Sequence, residues 1–140
     1  MLPSERLKKQ SLKELAKTVL SAEQVPAAAI TLILVNDDYI VKLNREFLKN
    51  EATTDVLSFN LGDESTSDFL EGEVYANLDQ IKRQAIDYHV AFEEELYRII
   101  VHGLLHLLGY DDHDGEEKKI MTAKEDYYLL SFNKQLKKGG

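Results

Sequence analysis

The chain of 140 residues is 44% hydrophobic and 30% charged with two Pro and seven Gly, the balance of one globular domain over residues 1–140 rather than a disordered or low-complexity chain. It contains no cysteine, which excludes a disulfide framework, thiolate metal sites and a thiol nucleophile. The net charge of −8 is unevenly spread, because residues 51–126 hold 19 acidic against 6 basic side chains while the two ends together hold 6 against 11. A local basic face for a polyanion is therefore compatible with an acidic total.

The chain opens on Met1-Leu-Pro-Ser-Glu-Arg6, which has no signal-peptide core, and no apolar run reaches the roughly 20 residues of a membrane helix. A cytoplasmic address without a membrane partner is expected. From Ser4 to about Ala22, Leu7, Leu12, Leu15, Val19 and Leu20 recur at helical spacing, with Ser11 and Glu14 placed like an internal capping box. This is one amphipathic helix or two short ones, and its Arg6, Lys8, Lys9, Lys13 and Lys17 form either a phosphate-contacting strip or a solvated face. After Pro26, Ala29–Val35 runs apolar and β-branched for the length of a buried strand. Asn36-Asp37-Asp38 supplies N-cap chemistry for a short helix carrying Ile40, Leu43 and Phe47.

Asp55–Leu61 and Gly72–Leu78 are two further strands, as a hairpin or as neighbours, separated by the acidic, turn-rich Gly62–Asp68. A helix from Asp79 presents Ile81, Ala85, Ile86 and Tyr88, and it breaks near His89, which reads as a surface or capping residue. The next helix starts near Phe92 and is apolar nearly all round from Leu96 to Leu108, the mark of a core helix. Gly109 is placed to end it at positive φ, and Asp114-Gly-Glu-Glu117 resembles a capping box opening a last helix with Ile120, Met121, Tyr127 and Leu130. Tyr75, Tyr127 and Tyr128 stand as core aromatics or base-stacking platforms. The expected fold is α+β, a small mixed β-sheet packed with about five helices.

Two histidines, His102 and His106, interrupt the apolar helix at i and i+4, so both imidazoles lie on one face one turn apart. Polar rings on a buried face need partners, and a shared metal ion supplies one. Arg98 falls on the same stripe one turn earlier, and beyond Gly109 the turn Tyr110-Asp-Asp-His-Asp114 offers further ligand types. The pattern suits a catalytic zinc site with three protein ligands and one position for water. The helical peptidase motif H-E-x-x-H has its general base after the first histidine, where this chain has Gly103. A peptidase is thereby disfavoured, and the missing side chain is expected to open space for a bulky substrate such as a phosphodiester backbone.

His102-Gly-Leu-Leu-His-Leu-Leu-Gly-Tyr-Asp111 closely resembles the signature of the YbeY family, metal-dependent bacterial endoribonucleases, in which H-G-x-L-H-L-x-G-Y-D-H supplies three histidines to zinc. Thr54–Phe59 looks like that family's T-D-V-L-S-F strand, and Gly72-Glu-Val74 like its G-D/E-I/V strand. The resemblance covers roughly residues 30–130 and implies one Zn²⁺ per chain, a zincin-like site on a buried helix, and single-stranded RNA as substrate. It further implies the 3′ end of small-subunit rRNA as target, with the small ribosomal subunit as partner in rRNA maturation and quality control, and no role on DNA.

This chain departs from the pattern in three places. The slot of the family's third histidine is Asp112, with His113 one place later, and the offsets of Glu116, Glu117 and Met121 assign the slot to Asp112 unless a bulge presents His113. Carboxylate is a legitimate zinc ligand and inclines a site towards harder ions such as Mn²⁺ or Mg²⁺. The arginine that the family places after an aromatic residue is Leu48 here, so Arg45 or Lys49 must bring the cation, joining Thr54 and Asp55 as expected substrate-binding residues. The strand with which the family usually begins is missing, which predicts a sheet one strand smaller. His102, His106 and Arg98 are the expected catalytic residues. The alternative reading is a ribosome-assembly binding factor with a structural metal and little nuclease activity.

Overall fold

A computed structural model describes residues 3–47, 53–62 and 69–139, with side chains from Lys9 to Lys134. The elements follow in the order α1 (Pro3–Ala22), β1 (Ala28–Val35), α2 (Asp37–Phe47), β2 (Val56–Asn60), β3 (Leu70–Asn77), α3 (Leu78–Tyr88), α4 (Phe92–Leu107) and α5 (Gly115–Gly139). The three strands form one mixed sheet in the order β1-β3-β2, with β1 parallel and β2 antiparallel to β3. The architecture is α+β with five helices, and β2 and β3 are antiparallel neighbours. Lys49 and most of the acidic Gly62–Asp68 loop lie outside the described residues.

The core forms where α4 crosses the sheet. Ile100, Val101, Leu104 and Leu105 are fully buried against Val74 and Ala76 of β3 and against Leu15 and Val19 of α1. The α1 segment is one continuous helix, with Ser11 in its interior. Gly103 is the point of closest approach, since a Cβ there would stand 2.7 Å from Val74 Cγ1, 3.0 Å from Val56 Cγ2 and 3.1 Å from Ser58 Oγ. The space beside Gly103 is thus filled by the sheet and not left open for substrate, and the Ser58 hydroxyl donates to the Gly103 carbonyl at 2.9 Å.

Polar side chains set the element ends. The Asn36 side chain accepts from the Tyr39 N–H at 2.9 Å, and Asn77 accepts from the Asp79 N–H at 3.1 Å, each capping the helix that follows a strand. Fully buried Asn77 also donates to Asp37 Oδ1 at 2.8 Å and to the Thr54 carbonyl at 3.1 Å, tying the loop before β2 to the ends of the other two strands. His89 is the left-handed cap of α3, with φ 57°.

Two expectations are corrected. No residue of β1 is fully buried, because the strand stands at the edge of the sheet and not inside it. In α5 the inward stripe is Met121, Glu125, Tyr128, Leu129 and Phe132, whereas Ile120, Tyr127 and Leu130 face solvent, as do Phe47, Ile86 and Tyr88 on α2 and α3.

Candidate metal centre

His102 and His106 project from the last two turns of α4 towards the free edge of β2. Just past them the helix is stopped by Gly109, whose φ of +98° is the left-handed conformation that glycine adopts without strain. The N–H of Gly109 donates to the His106 carbonyl at 3.1 Å and that of Tyr110 to the Leu105 carbonyl at 3.0 Å, so the chain doubles back beside the helix end. Tyr110 anchors this turn, its hydroxyl donating to Glu23 Oε1 at 2.7 Å while Lys124 and Tyr128 hold the other oxygen. Burial opposes the charge of Glu23, but these three hydrogen bonds outweigh it and hold its pKa below the usual carboxylate range.

The anchored turn brings the Asp112 carboxylate to the two imidazoles. His102 Nε2 and His106 Nε2 stand 3.0 Å apart, with Asp112 oxygens 3.5 Å from the first and 3.9 Å from the second. Donor atoms sharing one tetrahedral zinc ion at about 2.0–2.1 Å would be separated by about 3.3–3.4 Å, so the donor set fits such an ion in chemistry and in spacing. Among the described residues it is the one cluster of three side chains able to hold a metal. His113 points elsewhere, 80% exposed and 3.6 Å from Asp111.

A residue the sequence did not single out stands behind the histidines. Glu125 of α5 is buried, and its Oε2 lies 2.6 Å from His102 Nδ1. A carboxylate there takes the Nδ1 proton as hydrogen-bond acceptor and leaves the Nε2 lone pair facing Asp112 and His106. Burial of His102 works against its charged form, but the bond to Glu125 overcomes it and raises the imidazole pKa. Arg98 fixes Glu125 in turn, donating to Glu125 Oε1 at 3.1 Å and to Asp126 Oδ1 at 2.8 Å. The expected phosphate contact of Arg98 therefore meets a guanidinium already held by two carboxylates of α5. The only trace of Glu125 in the sequence is its place four residues after Met121, as a charged side chain on an apolar stripe.

Along β2 the cluster opens into a groove of about 450 Å³ lined by Thr54, Asp55, Val56, Leu57, Ser58 and the three donors. Thr54 and Asp55 thus join the cluster, while Arg45 sits exposed in the last turn of α2 and does not line the groove. Thr53, just before them, donates to Asp37 Oδ1 at 3.0 Å, and Arg83 clamps Asp37 with two bonds of 2.8 and 2.9 Å. That guanidinium, with Asn77, depresses the Asp37 pKa strongly. Among the described residues neither Lys nor Arg lines the groove, so the charge they give it is that of Asp55 and Asp112, which a dication would offset.

Fold and cluster together define an α+β protein with a His-His-Asp cluster able to hold a cation at one edge of its sheet. Residues 3–133 match the family described as endoribonuclease YbeY. The chain is 37% identical over 133 residues to the endoribonuclease YbeY of Salinibacter ruber, spanning 91% of this chain and 85% of that protein. It is 40% identical to that of Chlorobium phaeovibrioides, over 88% and 81% of the two chains, and 35% identical to that of Aquifex aeolicus, over 96% and 91%. A solution structure from Thermotoga maritima superimposes with a TM-score of 0.64 at 28% identity, covering 99% of this chain and 89% of the other. The chain belongs to the YbeY family of endoribonucleases. Among the described residues no helix is long and apolar enough to cross a membrane.

Proposed function

We propose that this chain, folded as one domain, is a zinc-dependent endoribonuclease that cuts single-stranded RNA in the groove along β2. His102, His106 and Asp112 hold one ion in a zincin-like arrangement. The observation that carries the reading is the convergence of three side chains of suitable chemistry, whose donor atoms lie within 4.8 Å of one another, in an open groove. When bound there, zinc supplies a water of pKa about 7 and neutralises charge at the scissile phosphate. Glu125 keeps the proton on Nδ1 of His102, so that Nε2 stays a donor to the ion, and Arg98 acts through Glu125 as a positioning residue. Thr54 and Asp55 face the RNA from the strand. Because no cation among the described residues lines the groove, contact with the rest of the RNA backbone falls to other basic side chains, Arg45 and Lys49 being the candidates, and binding weakens steeply with salt. The proposed substrate is the 3′ end of small-subunit rRNA, in ribosome maturation and quality control in the cytoplasm.

The test is cleavage of an end-labelled single-stranded RNA by the untagged protein with added zinc. Wild type is expected to cut it, chelation to stop it, and Asp112→Ala to lose both metal and activity, whereas an inert zinc-loaded wild type overturns the reading. That no Lys or Arg among the described residues lines the groove, with Leu48 in place of the family arginine, favours one second reading, a ribosome-assembly factor whose metal is structural. It predicts that His106→Ala still supports small-subunit maturation.

A further inference from the structure

Asp112 sits on a stretch without regular structure, yet the chain is tied on both sides of it. Upstream, the Tyr110 hydroxyl donates to Glu23 Oε1 at 2.7 Å. Downstream, the Asp114 carboxylate accepts from the Glu117 N–H at 2.8 Å and the Asp114 carbonyl from the Lys118 N–H at 3.0 Å, which fixes the chain to the first turn of α5. Asp111, Asp112 and His113 lie between these two anchors, and Asp112 is the one that reaches both imidazoles.

Glu23 stands just past the end of α1, its N–H bonded to the Val19 carbonyl at 2.9 Å and its side chain 10% exposed. Its second oxygen accepts from Lys124 Nζ at 2.9 Å and from the Tyr128 hydroxyl. An ionised carboxylate is an acceptor alone, so this one group satisfies three donors from two segments of the chain. Lys124 Nζ also lies 5.0 Å from the centre of the Tyr110 ring, holding the face of the ring while Glu23 holds its hydroxyl. Lys124 and Tyr128 flank Glu125 on one turn of α5, and Glu125 is the carboxylate behind His102. That turn therefore reaches the cluster by two routes, one ending at His102 through Glu125 and the other at the Asp112 turn through Glu23 and Tyr110.

We propose that Glu23 is a positioning residue for the metal site: through the Tyr110 hydroxyl it fixes the turn that presents Asp112, and so sets how tightly the ion is held. The inference rests on the reading of His102, His106 and Asp112 as the ligands. A ligand on an untied loop loses its conformational freedom when the ion binds, whereas a tied one has already lost it on folding, so the anchor is read out as metal affinity. Glu23 is 87 residues from Tyr110 along the chain, so the turn has this anchor only in the folded protein.

The test is zinc affinity of the full chain, by competition with a chromophoric chelator, in wild type, Glu23→Leu, Tyr110→Phe and the double variant, each with circular dichroism matching wild type. About tenfold weaker binding is expected in each single variant, with the double variant no weaker than Tyr110→Phe, because Glu23 acts through that hydroxyl. Tyr128→Phe removes a bond of Glu23 away from the turn and is expected to lose stability in urea while its zinc affinity stays within twofold of wild type. In the zinc-free protein, amide hydrogen exchange at residues 111–113 should quicken in Tyr110→Phe and stay unchanged in α4. Wild-type affinity in both single variants, losses that multiply in the double variant, or an equal loss in Tyr128→Phe overturns the proposal, and if Glu23→Leu does not fold, Tyr110→Phe decides it. A wild type that binds no zinc is the failure of the ligand assignment, and the proposal falls with it; a wild type that binds zinc beside unaffected variants is the failure of the proposal alone.

Discussion

Among the described residues the two outer strands of the sheet, β1 and β2, are flanked in opposite ways. Beside β2, the groove is polar, and two of its three donors are held from behind: Asp112 by the Gly109 turn and Tyr110, and His102 by Glu125, which Arg98 holds in turn. Beside β1 a groove against α1 is apolar, with lysines on its rim. Chemistry needs side chains fixed to a fraction of an ångström, which takes a supporting layer.

The most damaging change to the β2 edge is His106→Ala, expected to abolish metal binding and RNA cleavage together, as read by metal titration and RNA cutting. Glu125→Gln leaves all three donors in place and removes only the carboxylate behind His102. Loss of such a partner costs about 10–100-fold in metal affinity, so the variant should remain folded and bind zinc about that much more weakly in a competition titration. Unchanged affinity would show that the supporting layer is not needed. Gly103→Ala forces a methyl group to 2.7 Å from Val74 Cγ1, and overpacking of this kind costs about 1–3 kcal/mol in urea unfolding. The same variant separates packing from chemistry, since zinc bound by the folded fraction should be unchanged.

The smallest effect belongs to Asp37, which follows β1 and holds Thr53 on the way into β2. Its folded-state pKa is depressed by Arg83 and Asn77. The stability it contributes is therefore present above the unfolded-state value of about 3.9 and is lost as pH falls towards the folded value. Asp37→Asn should be less stable than wild type at pH 6, and the gap should narrow on acidification in paired thermal melts. Both partners are partly exposed to solvent, which keeps the difference small.

The α4 pattern, the glycine stop and the two histidines were all legible in the sequence, because helical spacing alone puts His102 and His106 on one face. Register arithmetic pointed to Asp112 over His113, and the Asp112 carboxylate is the one that reaches the imidazoles. Where sequence reasoning failed, the deciding contact was tertiary. An apolar run looks alike in a central strand and at an edge, so the exposure of β1 depends on strand order. Glu125 was hidden because a charged residue on an apolar stripe spoils the periodicity that would reveal the stripe, and of the apolar residues that mark the helix, Ile120, Met121, Tyr127 and Leu130, only Met121 faces inward. Gly103 suggested open space, whereas its missing side chain lets helix and sheet touch.

The central claim, that His102, His106 and Asp112 hold one ion, is tested most directly by metal content of the untagged protein in wild type, Asp112→Ala and His113→Ala. The expected result is about one zinc per chain in wild type and His113→Ala and a loss in Asp112→Ala. Zinc retained in Asp112→Ala and lost in His113→Ala would contradict it.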